Sequence, residues 1–373
     1  MRSSGWVPLL LLLVAGACDA TTASDAATAS DAATTTSAAT EVIEHGQGRP
    51  AESRCASCHE AAATSWARSR HHTAYTNAAF QRAWHDEPEP FCRDCHAPDS
   101  VGVAEPAAGA DPRWRAALDR GVGCLDCHAD GDTIITGPGS SRRAAPHALV
   151  RVDDFGTRSC AGCHEFDFPS YSRRPRGTMM QTTMREHRSS LHAERSCADC
   201  HLPAGDHGLA SSREPAALRD ALTVSAARDH DTIVVSIAPQ GIGHAFPTGD
   251  LFRRLALHVQ AREGEHVLVE DTRYLARHFA PYRRADGTRD PAYAWPVPDD
   301  RVTGATELRL PLPGGATLEW RWWLDYERVA SRDEVAPERS SIESSVRIAE
   351  GTLAAPGAST GDTAAARLSR SPG

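Results

Sequence analysis

The sequence has no cysteine to spare and few long apolar runs. Of 11 cysteines, ten fall in five repeats of one motif and Cys18 stands alone near the N-terminus. No pair remains for a disulfide framework. The apolar run at residues 9–14 is too short to span a bilayer by itself. Basic charge is not concentrated either. Arg is plentiful but dispersed among acids, and the formal charge is −9, so no nucleic-acid surface is indicated. A mildly acidic surface favours a basic or locally complementary partner.

What is there is Cys-x-x-Cys-His, five times: Cys55–Cys58–His59, Cys92–Cys95–His96, Cys124–Cys127–His128, Cys160–Cys163–His164 and Cys197–Cys200–His201. This is the attachment signal for c-type haem. The two thiols add to the haem vinyl groups, and the adjacent histidine becomes the proximal iron ligand. Five such haems are therefore expected. Zinc is the rival reading of Cys-x-x-Cys. It is disfavoured because every pair is followed at once by His and the chain reads as exported. No Cys-x-x-Cys-Lys occurs, so the Lys-ligated haem of pentahaem nitrite reductases is not expected.

Residues 1–18 read as a lipoprotein-type signal peptide: Arg2, an apolar stretch, then Ala15-Gly16-Ala17-Cys18. Cleavage before Cys18 and lipidation of its thiol would anchor the protein to a bacterial membrane, facing the periplasm or cell surface. Residues 19–45 are low in complexity, with Ala-Ser-Asp-Ala-Ala-Thr twice in tandem, and read as a disordered tether. Residues 46–215 hold the motifs, with short helices expected at Ala61–Arg70, Ala78–Trp84, Arg113–Arg120 and Gln181–Ser190. Macrocycles would supply the apolar surface that this region lacks. From residue 216 to 353 alternation takes over, as in Ile233, Val235 and Ile237, or Leu255, Leu257 and Val259. Period two over short runs predicts antiparallel strands and a β-sandwich. Trp320, Trp322 and Trp323 are expected in its core or at a domain interface. Residues 354–373 read as a disordered tail. The expected fold is α+β: a haem-packed, short-helix and loop domain followed by an antiparallel β-sandwich.

Thirteen of the 18 histidines lie outside the motifs. A second histidine on a haem iron gives a low-spin electron-transfer centre, whereas an open position permits chemistry. Several stretches resemble the bacterial multihaem cytochromes of the cytochrome c-554-like group. They include Trp66-Ala-Arg-Ser-Arg-His-His-Thr-Ala74, Gly121-Val-Gly-Cys-Leu-Asp-Cys-His128, Ala145-Pro-His147, Met180-Gln-Thr-Thr and Gly243-His-Ala-Phe-Pro-Thr-Gly249. The resemblance spans roughly residues 50 to 280. It implies that isolated histidines serve as distal ligands: His71, with its neighbour His72; His147; His207; His244; and His187, with His192 and His85 as rivals. His230, His258 and His266 read as strand or turn residues, His45 and His278 as weaker candidates. Met179, Met180 and Met184 are more simply core packing.

The expectation is an electron carrier with mostly bis-His haems, exchanging electrons with a membrane-associated or periplasmic redox protein. The alternative is a multihaem oxidoreductase acting on a small nitrogen or sulfur compound at one open-site haem. The resemblance admits it because the group includes relatives of hydroxylamine-oxidising enzymes.

Overall fold

A computed structural model describes residues 52–101, 111–131, 133–138, 149–169, 179–209, 214–283, 289–333 and 336–356. The signal, Cys18, the tether, His45, His147 and all of the tail beyond residue 356 lie outside the described residues.

Up to residue 209 the helices are short, and each is shaped by its cap or its motif. The first motif straddles α1 (Glu52–Ala56) and the turn into α2 (Glu60–Trp66). In α3 (Ala78–Asp86) the Asn77 side chain caps the helix by accepting the Phe80 N–H. Helix α4 (Arg93–His96) carries most of the second motif. In α5 (Pro112–Arg120) Asp111 caps, Pro112 starts and Gly121 terminates the helix. The third, fourth and fifth motifs lie in α6 (Cys124–His128), α7 (Phe155–His164) and α9 (Cys197–His201). Between the last two sits α8 (Thr183–Arg188).

Two expected helices are corrected. The first ends at Trp66 rather than Arg70, because Ser69 Oγ takes the His72 N–H at 3.2 Å and turns the chain out of the helix. The fourth begins only at Thr183. Residues Met179–Thr182 form a strand instead, β5, paired antiparallel with β4 (Glu165–Asp167). A small ladder of β1 (Ala129–Asp130), β2 (Thr133–Thr136) and β3 (Leu149–Arg151) was also not signalled by alternation.

Beyond residue 221 the alternation becomes strands. One sheet runs in the order β12 (Thr306–Pro311), β7 (Thr232–Pro239), β6 (Leu222–Asp229). A second runs β14 (Ile342–Leu353), β13 (Glu319–Val329), β8 (Arg253–Glu263), β9 (His266–Leu275). A separate antiparallel pair joins β10 (Arg277–Arg283) to β11 (Arg289–Asp299). Both larger sheets contribute to one apolar cluster, including Ile233, Val235, Leu255, Leu257, Leu310 and Leu324. Trp320 and Trp322, two residues apart, point into it, whereas Trp323 takes the other face and stacks on His258 at 4.9 Å.

The two regions differ in what fills them. The β region has a cluster of twenty buried residues. Among the described residues the motif region has a small one, Ala97, Trp114 and Leu118. At about 1.5–3 kcal/mol for each large buried side chain, so few cannot order such a chain. Residues Glu41–Gly373 nevertheless form one compact unit. Polar contacts tie its parts together. Arg82 of α3 pairs with Glu343 of β14, and Arg277 of β10 donates to the carbonyls of Met179 at 2.8 Å and Met180 at 3.2 Å.

Candidate cofactor-binding site

The motif region is organised around one cavity of about 2170 Å³. That is about twice the upper end of the roughly 300–1,000 Å³ of an ordinary small-molecule pocket. Both cysteines and the histidine of all five motifs line it. So do Phe80, Trp84, Phe91, Leu125, Ile135 and Phe155, which give it apolar walls. The β region closes part of it with Phe246, Phe252, Asp250, Arg253 and Arg328.

Helix α7 is the junction of the motifs. It packs against α4, α6 and α9, which carry the second, third and fifth. Ser159 Oγ donates to the Cys127 carbonyl at 3.1 Å. Cys95 stands beside Cys163, and Cys160 beside Cys197. The ten motif cysteines are free of disulfides. Among the described residues no group of three or more His, Cys, Asp or Glu is placed to hold a metal ion.

Five histidines outside the motifs also line the cavity: His71, His187, His192, His207 and His244. Three of them face motif histidines. Ring centroids are 6.3 Å apart for His71 and His164, 6.2 Å for His128 and His207, and 6.3 Å for His201 and His244. A first-row metal–imidazole bond of about 2 Å, plus roughly 1.1 Å from nitrogen to ring centre, puts two trans imidazoles about 6.3 Å apart. The spacing therefore fits an iron between each pair.

The second ring nitrogen supports the same fit. Nδ1 donates to the carbonyl of Ala74 from His96 at 2.8 Å, of Ile135 from His128 at 3.0 Å, of Gly205 from His207 at 2.8 Å and of Ala245 from His244 at 3.0 Å. His164 Nδ1 lies 3.2 Å from Gln181 Oε1. A carbonyl only accepts, so Nδ1 carries the proton and Nε2 keeps its lone pair, the arrangement a metal-bound imidazole needs. Burial lowers the basicity of His71, His96, His164 and His244, taking His71 to about 4, so the rings are neutral near pH 7.

Other candidates are placed elsewhere. His72 does not line the cavity; its ring packs on Trp66 at 4.3 Å and its Nδ1 lies 3.2 Å from the Arg120 carbonyl. His85 is exposed on α3. His187 and His192 both lie beside Gly243, where an added Cβ would come within 3.1 Å of His187 Cδ2 and 3.2 Å of His192 Cβ. Met180 and Met184 reach the cavity wall. The sequence reading passed over Gln181, although it lies within the Met-Gln-Thr-Thr stretch of the resemblance. It also passed over Asp250, Arg253 and Arg328, which have no periodic or motif signal.

A motif-lined, largely apolar cavity with paired imidazoles is what a multihaem c-type cytochrome requires. Residues 54–129 match the family described as cytochrome c554 and c-prime. The fold is similar to that of a penta-haem cytochrome c552 from Thermochromatium tepidum, with a TM-score of 0.59 and 20% identity, covering 81% of this chain and 98% of that one. No curated protein matches the chain at the sequence level.

Proposed function

We propose that this protein transfers electrons through five c-type haems. The haems would be bound through the ten motif cysteines, with His59, His96, His128, His164 and His201 as proximal ligands. Each haem supplies a one-electron couple at its iron. The observation that carries the reading is the set of three histidine pairs at 6.2–6.3 Å. On it, His207 completes the iron of the third motif, His71 that of the fourth and His244 that of the fifth. His187 and His147 are the proposed ligands for the remaining irons, with His192 as the alternative to His187. Irons held on both sides by these histidines would change oxidation state without exchanging ligands, which suits a relay. Close packing of α7 against three other motif helices supports passage from one haem to the next.

Export, lipidation of Cys18 and a membrane-associated or periplasmic redox partner complete the proposal. They rest on the signal-like N-terminus and on the oxidising compartment where c-type haem is attached.

The second reading is substrate chemistry at an open haem. A haem count, an EPR spectrum of the oxidised protein and a carbon monoxide titration of the reduced protein separate the two. Five low-spin irons and no shift of the Soret band are expected of the relay. A high-spin iron that takes up carbon monoxide would favour the oxidoreductase. Uptake absent from the wild type but gained when His71, His207 or His244 is replaced by Ala would locate the three pairs.

A further inference from the structure

We propose that Glu186 is the positioning residue that holds His244 against the fifth motif. The inference rests on the reading of His244 as the ligand opposite His201. His244 arrives from the β region, on the loop Gly243-His-Ala-Phe-Pro-Thr248, and must be held within a few tenths of an ångström to bond a metal. Its own ring is restrained by the carbonyl of its neighbour Ala245. The loop itself is gripped from the motif region. Glu186 lies on α8, with its side chain 10% exposed. Oε2 accepts the Ala245 N–H at 3.3 Å and the Thr248 hydroxyl at 2.6 Å. Oε1 accepts the Thr182 hydroxyl at 2.5 Å and the Arg301 guanidinium at 2.7 Å. Arg301 in turn donates to the Pro247 carbonyl at 3.0 Å, and Thr183 Oγ1 meets Thr248 Oγ1 at 2.9 Å. One carboxylate and its guanidinium partner thus bind three successive parts of the loop just after His244.

The chemistry requires a carboxylate. All four groups around Glu186 are donors, and an ionised carboxylate has about four acceptor sites and no proton of its own. The Arg301 guanidinium at 2.7 Å supplies the positive charge that a buried carboxylate needs. A glutamine would turn an N–H₂ towards donors on one side and leave that side unpaired. The loop end nearer His244 is the weaker contact, at 3.3 Å, so it is the one lost first.

The test uses the full-length holoprotein as wild type, E186A, E186Q, H244A and E186A/H244A. Carbon monoxide uptake by the reduced protein and the EPR of the oxidised protein are read at constant haem content. H244A is expected to open one iron, binding one equivalent of carbon monoxide. E186A is expected to open the same iron, E186Q a smaller fraction of it, and the double variant still one. If H244A opens no iron, His244 is not a ligand and the proposal falls with that reading. If H244A opens one but both Glu186 variants match wild type, Glu186 has no positioning role and His244 stands. Two equivalents in the double variant would show Glu186 acting on a different haem, which also overturns the proposal. Should E186A not accumulate with its haems, wild-type behaviour of E186Q refutes it alone.

Discussion

Replacing Gly121 by Ala should weaken the protein and release His71 from its place. Gly121 follows α5 with φ +69, a conformation that an L side chain rarely adopts. An added Cβ would lie 2.5 Å from the His72 carbonyl oxygen and closer still to that of His71. Both are backbone atoms and cannot swing aside. The Val122 N–H donates to the same His71 carbonyl at 2.9 Å, and Trp66 Nε1 donates to the Val122 carbonyl at 2.8 Å. Strain at such a positive-φ position costs about 1–3 kcal/mol for a residue with a Cβ. Forcing apart packed backbone adds about 1–3 kcal/mol. A melting temperature lower by roughly 2–4 °C per kcal/mol is expected. Gly264 is the control, since its φ is +57 but nothing lies within 4 Å of an added Cβ. G264A should therefore show the strain alone, about 1–3 kcal/mol. Thermal melts followed by far-UV circular dichroism measure both, and carbon monoxide uptake reports whether an iron held by His164 would have lost the ligand proposed at His71. Equal melting temperatures for G121A and G264A, with uptake as in wild type, would refute the reasoning.

Two further predictions follow from buried charge. Arg253 at 3.3 Å and Arg328 at 2.8 Å hold the Asp250 carboxyl at about 2, against the upward push of burial. Its folded pKa lies below its unfolded one, so its contribution is complete above the unfolded value and is lost as pH falls through about 2. D250N should remove on the order of 2 kcal/mol of the acid dependence of denaturant-measured stability below about pH 4; an unchanged acid limb would count against it. Arg254 Nε meets Glu327 Oε2 at 2.7 Å with side chains 8% and 4% exposed. E327A should cost about 3–5 kcal/mol, and the apolar double replacement R254M/E327L much less; equal losses by urea denaturation would refute a buried-charge origin.

Much of the fold was legible in sequence because its signals are local. Ile233, Val235 and Ile237 alternate since successive side chains on a strand face opposite ways, and all three are buried. Trp323, expected alongside Trp320 and Trp322, instead takes the opposite face, as the strand period requires of adjacent residues. The helix expected at residues 181–190 begins late, at Thr183, for a non-local reason. Gln181 pairs with Phe166 across a strand ladder, and that partner is remote in sequence.

The sequence alone determined where cofactors would attach, because two thioethers and a proximal histidine need Cys-x-x-Cys-His within one short turn. It also marked His71, His207 and His244 as histidines in search of a role. Only the tertiary structure decided which motif each of them faces. His71 follows the first motif yet stands opposite His164 of the fourth, and His207 follows the fifth yet stands opposite His128 of the third. His244 crosses from the β region to His201. A proximal ligand is fixed by covalent neighbourhood. A distal one is fixed by whichever chain segment closes the other side of the cavity, and that depends on packing spread over the whole molecule.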